Sequence, residues 1–261
     1  MSDIPYVRQK EIIKILSENK VENITSLGKI LNVSEMTIRR DLDKLEKGGD
    51  VIRVYGGAKI RTKNVYDPSI GERLMQNIKE KKAIGVKAAE FVEDGDVVAF
   101  DASTTALEVA NNIKNRKELT VITNNIALSI ELSENKDIAI MLLGGMVRKS
   151  SLSLVGSWLP KMLKHINIDK FFISSSALSF KEGLTDATIE EVEAKKAIID
   201  RSAEIFVIAD HTKINKVSTF NVCNYKIIDK IITDGLTEFT KEQKKCLKKF
   251  EEKNVDVIIA K

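Results

Sequence analysis

Seven short apolar runs, separated by segments with helical periodicity, constrain the fold of this chain more than any other feature. Runs that are so uniformly apolar are typical of strands buried on both faces, as in a parallel sheet covered by helices. We therefore expect an α/β domain with a mostly parallel sheet over residues 70–261. The runs lie at residues 97–100, 119–122, 138–143, 171–173, 205–209, 227–232 and 255–260.

Polar residues follow these runs, where ligands bind in open α/β sheets, beyond the carboxyl ends of the strands. Any one of them has a structural explanation, because glycine pairs form turns and serine or threonine caps helices. Polar endings on five of the runs together favour a binding site. The endings include three serines at 174–176, and the candidate ligand-binding residues are Asp101, Ser103, Thr104, Thr105, Thr123, Asn124, Gly144, Gly145, Arg148, Asp210, His211 and Lys213.

The chemistry of these candidates indicates a ligand that has both an anionic group and hydroxyl groups. Residues 103–105 precede an amphipathic helix, whose first backbone N–H groups form an anion site. Lys195 and Lys213 supply positive charge for a phosphate, and the carboxylates of Asp101 and Asp210 accept hydrogen bonds from sugar hydroxyls. A phosphorylated sugar is the ligand that this set predicts.

Several classes of site and location are not expected. The sequence contains neither a Gly-x-Gly-x-x-Gly fingerprint nor a Gly-x-x-x-x-Gly-Lys-Ser/Thr loop, so we expect no nucleotide cofactor. Cys223 and Cys246 lack the spacing of metal ligands, so we expect no metal and two free thiols in a reducing cytoplasm. No signal peptide is recognised, and no run approaches the roughly 18 apolar residues that span a bilayer. These features predict a cytoplasmic protein without a membrane partner.

Residues 34–48 predict a short helix with one apolar face and one cationic face. Ile38, Leu42 and Leu45 repeat at helical spacing and form the stripe for burial. Ser34 is placed to cap this helix, and Gly48 is placed to end it. The outward stripe suits a DNA groove and contains Thr37, Arg40, Lys44 and Lys47.

The segments before this helix complete a helix-turn-helix pattern. Residues 7–16 and 24–31 predict two further helices, the second with Ile30 among its inward residues. Only residues 32–34 separate the second helix from the cationic one, which is the short connection typical of this motif. The helix-turn-helix is therefore expected at about residues 22–41.

A basic wing follows the three helices. Residues 51–55 alternate like a strand, Gly56-Gly57 fits a two-residue hairpin turn, and residues 58–61 return as the partner strand. Residues 1–63 hold 13 Lys and Arg against 9 Asp and Glu, whereas the rest of the chain holds 29 of each. The whole formal charge excess therefore lies in the N-terminal segment, as expected of a nucleic-acid reader. The alternative is a helical bundle with an ordinarily solvated charged face.

Residues 1–61 resemble the DeoR-type family of bacterial sugar-responsive transcription regulators. The likeness rests on Thr-Ile-Arg-Arg-Asp-Leu at 37–42 and Arg-x-x-Gly-Gly-Ala at 53–58, and it continues to about residue 235. Tyr55 departs from the pattern, since these proteins often carry a histidine in the wing. We expect DNA contacts from Ser34, Glu35, Thr37, Arg39, Arg40, Lys44, Arg53, Tyr55 and Lys59.

The C-terminal part matches the same family, whose corresponding domain is similar to sugar-phosphate isomerases and senses a phosphorylated intermediate. The chain departs from that pattern at 174–177, where relatives often carry glycine. The matching segments are 101–105, 123–124, 143–145, 193–195 and 209–213. By that likeness, the residues that line the effector pocket are Asp101, Thr104, Thr105, Lys195, Asp210 and Lys213.

These features predict a DNA-binding transcription regulator that binds double-stranded operator DNA as a dimer or tetramer. It is expected to repress a carbohydrate-use operon until a phosphorylated sugar binds the C-terminal domain. The alternative is a sugar-phosphate isomerase-like enzyme with an appended DNA-binding head, in which His211 is the candidate general base. We expect no catalytic residue, because a ligand pocket in a protein that also has a DNA-binding domain is better explained as a sensor than as an enzyme active site.

The segment between the two parts is expected to be a linker at residues 62–69, which are polar and include Asp67-Pro68. Residues 70–91 then predict one continuous helix. Its inward residues are expected to include Leu74, Ile78, Ile84, Ala88 and Phe91, and its solvated face Lys79, Lys81 and Lys82.

Two further features leave alternatives open. The lysine-rich segment 241–253 predicts a helix with Cys246, Leu247 and Phe250 inward, and a second DNA-binding or interaction surface is its other interpretation. Trp158 fits either core packing or a subunit contact.

Overall fold

The computed structural model of the chain describes residues 5–19, 21–48, 51–60 and 68–261. Two compact units divide the chain, Met1–Tyr66 and Asp67–Lys261. The expected linker at 62–69 lies largely outside the described residues, as do Arg61 and the side chain of Lys47. None of the described helices is long and apolar enough to cross a membrane.

The N-terminal unit is a winged helix-turn-helix. Its helices are α1 (Pro5–Asn19), α2 (Ile24–Leu31) and α3 (Glu35–Gly48), and its strands are β1 (Val21–Asn23), β2 (Val51–Val54) and β3 (Gly57–Ile60). The three strands form an antiparallel sheet in the order β1-β3-β2. The wing hairpin turns at Gly56, whose φ of 73° lies in the region that glycine adopts without strain.

Two local expectations for this unit are corrected. Strand β1 was not expected, and it adds a third strand to the wing by pairing with β3. Ile30 was expected to face inward but is 55% exposed. The stripe of Ile24, Leu27 and Leu31 already fills the core side of this short helix, so Ile30 falls outside it.

The C-terminal unit is an α/β domain built on seven parallel strands. The order across the sheet is β15-β14-β12-β9-β4-β5-β6, and every neighbouring pair is parallel. This confirms the fold class expected from the apolar runs. The strands of this sheet are β4 (Val97–Phe100), β5 (Leu119–Thr123), β6 (Ile138–Leu142), β9 (Ile168–Ile173), β12 (Ser202–Ile208), β14 (Lys230–Asp234) and β15 (Asp256–Ala260).

Helices cover both faces of the sheet. Those on one face bury Ile84, Val109 and Leu128 together with the stacked rings of Phe100 and Phe172. The other face is packed by residues such as Leu159, Ile198 and Phe250. The helices are α4 (Ile70–Met75), α5 (Ile78–Ala89), α6 (Thr104–Asn111), α7 (Ile126–Leu132), α8 (Trp158–Leu163), α9 (Ile189–Ile199) and α10 (Lys241–Glu251).

Two small antiparallel sheets lie in the connections that follow strands of the large sheet. One is the hairpin of β7 (Met146–Arg148) and β8 (Ser153–Val155), which follows β6 and bonds to the Asn124 carbonyl through the Leu154 N–H. The other consists of β10 (Ala177–Ser179), β11 (Gly183–Asp186) and β13 (Phe220–Cys223). Both bring additional polar residues to the carboxyl edge of the sheet.

The expected continuous helix over residues 70–91 is wrong, because the chain breaks between α4 and α5. Asn77 has a left-handed conformation, with φ 48° and ψ 44°, and its side chain donates hydrogen bonds to Asp210 and Thr212. Leu74 and Ile78, expected inward, are exposed, and Lys81, expected in solvent, is buried. The Lys81 ammonium donates hydrogen bonds to the backbone carbonyls of Arg73 and Gln76, in the last turn of α4 and at the break.

Candidate functional site

The outward face of α3 carries the side chains expected to contact DNA. Arg40 and Lys44 are exposed and have no ion-pair partner among the described residues, whereas Arg39 lies 3.9 Å from the Glu35 carboxylate. The wing exposes Tyr55 fully, together with Lys59. Ser34 and Glu35 are exposed at the start of α3, and Thr37 is half-buried one turn further.

Arg53 differs from the other expected DNA contacts. It is half-buried, and its Nη1 atom lies 4.0 Å from the Asp43 carboxylate. Its backbone N–H donates to Glu46, so the first wing strand is anchored on α3. Arg53 can contact a DNA phosphate only if its guanidinium makes no stronger contact with Asp43 than this 4.0 Å approach.

Fixed contacts hold α3 against the rest of its unit. The Ser34 hydroxyl accepts a hydrogen bond from the Thr37 N–H at 3.2 Å, which confirms the expected cap. On the inward side, the buried Asp41 accepts from Arg8 at 2.5 Å and from Gln9 at 3.0 Å. This pairing fixes the rotation of α3, so that its cationic stripe points away from the core.

In the C-terminal unit, a buried ion network lies at the carboxyl end of β4. Lys195 of α9 pairs with Asp186 at the end of β11, and its Nζ atom lies 3.3 Å from Asp101. Asp101 also accepts hydrogen bonds from the backbone N–H groups of Ser103 and Ser174. The network ties three separate elements together at the centre of the sheet edge.

The pKa values of Asp101 and Asp186 are shifted in opposite directions, by burial and by pairing with Lys195 respectively. Burial raises the pKa of Asp101, and the nearby Lys195 only partly offsets this effect. Burial also disfavours ionised Asp186, but Lys195 and the Ser176 hydroxyl outweigh it and lower the pKa of Asp186 to about 2. Lys195 itself resists deprotonation, because the carboxylates around it outweigh its own burial and raise its pKa. At neutral pH the network therefore contains a fixed cation.

A second polar cluster follows β12. The Lys213 ammonium donates to the Ser175 carbonyl at 2.7 Å and to the Ser174 hydroxyl at 3.3 Å. The buried Asp210 caps a short 3-10 turn at His211–Lys213 and accepts from Asn77 at 3.1 Å. Burial lowers the pKa of Lys213 against the opposing attraction of Asp210, so an added anion would be favoured beside this ammonium.

The ring of His211 is oriented by a buried carboxylate. Its Nδ1 atom lies 2.9 Å from Asp234 Oδ2, and its backbone N–H donates to the other oxygen of the same group at 2.7 Å. The Gln243 side chain donates to the His211 carbonyl at 2.6 Å. The imidazole is thus held in one orientation by residues of β14 and α10.

The start of α6 supplies backbone donors at the same edge. Ser103 caps this helix by accepting from the Ala106 N–H at 3.0 Å. The N–H groups of Thr104 and Thr105 have no hydrogen-bond partner among the described residues, and both threonines are buried. Free N–H groups at a helix start attract an anion.

Several of the expected pocket residues have internal partners instead. The Thr123 hydroxyl donates to the Phe100 carbonyl, and the Asn124 amide donates to the Leu154 carbonyl, which leaves the Asn124 Oδ1 atom buried without a partner among the described residues. A Cβ at Gly145 would lie 2.4 Å from the Val155 carbonyl oxygen, so this glycine permits the hairpin to close. Gly144 lies beside Met162.

Arg148 lies in another polar cluster, formed with the serines of the hairpin. Its Nη1 atom donates to Ser151 at 3.1 Å and approaches the buried Glu191 at 3.5 Å. Glu191 also accepts hydrogen bonds from Ser151 and Ser153. This arrangement fastens the β7-β8 hairpin to α9.

Sequence reasoning missed Asp186, Glu191, Asn77 and Lys81. Asp186 ends a short antiparallel strand and not one of the seven apolar runs. It was therefore not among the residues that follow the strands of the parallel sheet, where ligand-binding residues were expected. A signal for Lys81 does exist, because it shares a helical face with Ile84 and Ala88. Within the described part of the chain, no cluster of three or more His, Cys, Asp and Glu side chains is arranged to hold a metal ion.

The fold and the two sites define a class of protein in which a winged helix-turn-helix unit is joined to an α/β ligand-sensing unit. Two family models match this chain, the DeoR-like helix-turn-helix domain at residues 8–64 and the DeoR C terminal sensor domain at residues 76–235. The chain belongs to the DeoR family of transcription regulators, as the sequence resemblance predicted.

Curated relatives match over nearly the whole chain. The HTH-type transcriptional regulator GolR of Listeria innocua is 36% identical over 98% of this chain and 99% of its own length. The HTH-type transcriptional repressor GlcR of Bacillus subtilis is 36% identical over 88% of this chain and 89% of its own length. Among solved structures, ribose 5-phosphate isomerase from Plasmodium falciparum overlaps 51% of each chain, with 18% identity and a TM-score of 0.39.

Proposed function

We propose that this regulator represses transcription by binding operator DNA as a homo-oligomer, and that a phosphorylated sugar releases it. One observation supports a phosphorylated sugar as the ligand. Lys213, the free N–H groups of Thr104 and Thr105, and the buried carboxylate of Asp210 belong to loops that leave the same edge of one sheet. Cationic and N–H donors suit a phosphate, and a carboxylate acceptor suits sugar hydroxyls.

The DNA-binding half of the proposal rests on α3 and the wing. Arg40 and Lys44 project from one exposed face, and the contacts of Asp41 with Arg8 and Gln9 fix the rotation of that face. A helix of this size fits the major groove, where arginine reads guanine edges and lysine grips phosphates. Two copies related by a two-fold axis would read repeated half-sites. The repressor polarity is supported by relatives named as repressors, GlcR and AccR.

The release step follows from thermodynamic linkage. A ligand that binds one arrangement of the oligomer better than another shifts the population toward that arrangement. Release requires the favoured arrangement to present the paired recognition helices at a spacing that no longer matches the half-sites. A dimer and a tetramer both satisfy this requirement.

A sensor fits the site better than an isomerase does. A catalytic carboxylate base needs a free oxygen facing the substrate, but both oxygens of Asp101 already bind Lys195 or backbone N–H groups. The His211–Asp234 pair is the feature that an enzyme would use. Assays of aldose–ketose interconversion with a panel of sugar phosphates distinguish the two functions, since turnover lost on replacing His211 by glutamine would favour the enzyme.

Replacing Lys213 by alanine tests the ligand half of the proposal. We expect the variant to bind operator DNA normally and to lose about 10- to 100-fold in affinity for the phosphorylated effector, because a charge-assisted contact is removed. Gel-shift titrations, with and without the sugar phosphate, measure both properties. Lys216→Ala is the matched control, since Lys216 is an exposed lysine three residues away. A normal effector response in Lys213→Ala would contradict the assignment.

A further inference from the structure

The large sheet of the C-terminal unit has an open edge at β6, the last strand in the sheet order. The strand reads Ile-Ala-Ile-Met-Leu, without a charged side chain, and both Met141 and Leu142 are exposed. Edge strands of soluble proteins usually carry charges or are covered, because an open apolar edge pairs with other strands. The opposite edge follows this rule, since β15 begins with the exposed Asp256. Strand β6 does not follow it, so we expect a further strand to cover this edge.

The backbone of β6 is available for pairing on its outer side. The Leu143 N–H and the Asp137 carbonyl both bond to residues of β5. Backbone groups alternate between the two sides of a strand, so those of Ile138, Ile140 and Leu142 point away from β5. No described strand pairs with them there. Their N–H and carbonyl groups are therefore open to a further strand.

Helix α8 extends the apolar surface beside this edge. Its Leu159 packs in the same cluster as Leu143, whereas Trp158 is 65% exposed and Met162 is 40% exposed. Trp158 and Met162 are four residues apart, so they lie on one side of the helix. The Met162 sulfur accepts from the Gly144 N–H at 3.1 Å, which joins this side of α8 to the end of β6. We call the exposed set the β6-α8 surface, which consists of Met141, Leu142, Trp158 and Met162.

The β6-α8 surface is suited to a second copy of this chain. Near a two-fold axis each group faces its own copy, so charges there would repel. No ionisable side chain lies between Asp137 and Arg148 in the sequence, so the strand itself is neutral. Antiparallel pairing of two β6 strands about Ile140 places the outward backbone groups of Ile138 opposite those of Leu142 in the other copy. The pattern of donors and acceptors is thus complementary to itself.

We propose that two copies of this chain associate through the β6-α8 surface, with their β6 strands paired antiparallel across a two-fold axis, so that their large sheets form one continuous sheet. The inference rests on the proposed homo-oligomeric binding of operator DNA and names the surface that joins the subunits. Exposed Trp158 and Met162 supply apolar contact area of the kind that is enriched in protein interfaces. A two-fold axis is also the symmetry that repeated half-sites require.

Charge-swap variants at Met141 of the full-length protein test this pairing. In the antiparallel arrangement the two Met141 positions are diagonal neighbours, about 7–8 Å apart and within reach of long side chains. We expect Met141→Glu and Met141→Lys each to weaken self-association by about 100-fold, because like charges then meet across the axis. An equimolar mixture of the two should restore it. Sedimentation velocity over a dilution series measures the assembly state.

Val86→Glu is the matched control for these variants. Val86 is also an exposed apolar residue, but it lies on α5, which packs against β14 and β15 at the opposite edge of the sheet. We expect this variant to associate as the wild-type protein does. The comparison separates a charge placed in the interface from a charge placed anywhere on the surface.

The outcomes distinguish this inference from the function on which it rests. If the wild-type protein is oligomeric and both Met141 variants assemble as Val86→Glu does, the surface is wrong and homo-oligomeric DNA binding stands. Assembly that is lost in the single variants but not restored by mixing would also overturn the pairing, because the two Met141 side chains then do not meet. A wild-type protein that is monomeric with and without operator DNA would overturn both.

A second measurement uses the wild-type protein alone. Hydrogen exchange is read residue by residue at a concentration where the protein is associated and again after dilution below its dissociation constant. We expect the outward amides of Ile140 and Leu142 to exchange several-fold more slowly in the associated protein. The Leu143 amide, already bonded to β5, is the internal reference and should change little. Equal exchange of the outward amides at the two concentrations would overturn the strand pairing.

Discussion

Replacing Lys195 by methionine is expected to destabilise the C-terminal unit by about 3–5 kcal/mol, because it leaves the carboxylates of Asp101 and Asp186 buried without their cation. Lys195 is buried and pairs with both groups at the centre of the sheet edge. Urea unfolding followed by circular dichroism measures the loss. Lys196→Met is the matched control, since Lys196 is the next residue and is exposed.

The loss should depend on pH in a defined direction. In the wild-type protein the pKa of Asp186 is about 2, below its ordinary value of 3.8, so its stabilising contribution is present above pH 3.8 and disappears as the pH falls toward 2. Without Lys195, only the remaining hydrogen bonds oppose the effect of burial, so the pKa of both carboxyls rises relative to the wild-type protein. The deficit of Lys195→Met should therefore shrink as the pH is lowered from 7 to about 4. A deficit that stays constant over this range would show that lost packing, and not unpaired charge, is its cause.

Removing the carboxylates supplies the complementary test. The triple variant Asp101→Asn, Asp186→Asn, Lys195→Met contains no buried charge in this network and should recover part of the stability lost by Lys195→Met alone. If the triple variant is less stable than the single one, the electrostatic explanation is wrong. The comparison isolates the cost of an unpaired charge from the value of the ion pairs.

Replacing Arg40 by alanine is expected to weaken specific operator binding by about 1–3 kcal/mol, which corresponds to about 5- to 150-fold in affinity. Arg40 is exposed on α3 and has no ion-pair partner among the described residues, so its guanidinium is available for a base edge. The duplex is one selected by the wild-type protein from a random-sequence library. Fluorescence anisotropy titrations at fixed salt measure the affinity.

The control for Arg40→Ala keeps the same change in net charge. Lys14→Ala removes an exposed cation from α1, outside the recognition helix, and should change the affinity far less. Binding to a scrambled duplex separates base reading from phosphate contact, since loss of a base contact reduces the preference between duplexes. Equal affinities of Arg40→Ala and wild-type protein for the selected duplex would remove Arg40 from the interface.

The sequence predicted the large features of the fold because each depends on local periodicity. The buried stripe of Ile38, Leu42 and Leu45 appears where it was expected, and each of the seven apolar runs overlaps a strand of the large sheet. The run at 227–232 differs at its start, since Tyr225–Ile227 is a 3-10 turn and the strand begins only at Lys230. The buried face of a helix or strand determines which of its positions are apolar, so the pattern can be read directly from the sequence. The winged helix-turn-helix and the parallel sheet follow from these patterns.

The site was only partly predictable, because its contacts join residues that are remote in sequence. The Ser174 N–H reaches Asp101 across 73 positions, and Asn77 reaches Asp210 across 133 positions. The break at Asn77 had no local signal, since neither proline nor glycine lies between Met75 and Ile78. It depends on tertiary partners for the Asn77 amide and for the carbonyls that Lys81 binds.

The expectation that charged side chains lie in solvent gave a wrong prediction for Lys81. Lysines are mostly solvated, so the run around residues 79–82 was read as a surface. Yet Lys81 lies on the same helical face as Ile84 and Ala88, and it is buried with its ammonium on backbone carbonyls. A charged residue in register with an apolar stripe is worth treating as a candidate for a buried contact.

We propose that the N-terminal unit binds a DNA duplex and that a phosphorylated metabolite bound to the C-terminal unit controls this binding. The most direct measurement is release of the selected duplex from the wild-type protein by a sugar phosphate, compared with the same sugar without its phosphate. We predict that at least one phosphorylated sugar weakens duplex binding by about tenfold or more, as expected of an allosteric coupling of 1–3 kcal/mol, while its unphosphorylated form has no effect. Equal effects of the two forms, or a duplex affinity that no phosphorylated sugar changes, would contradict it.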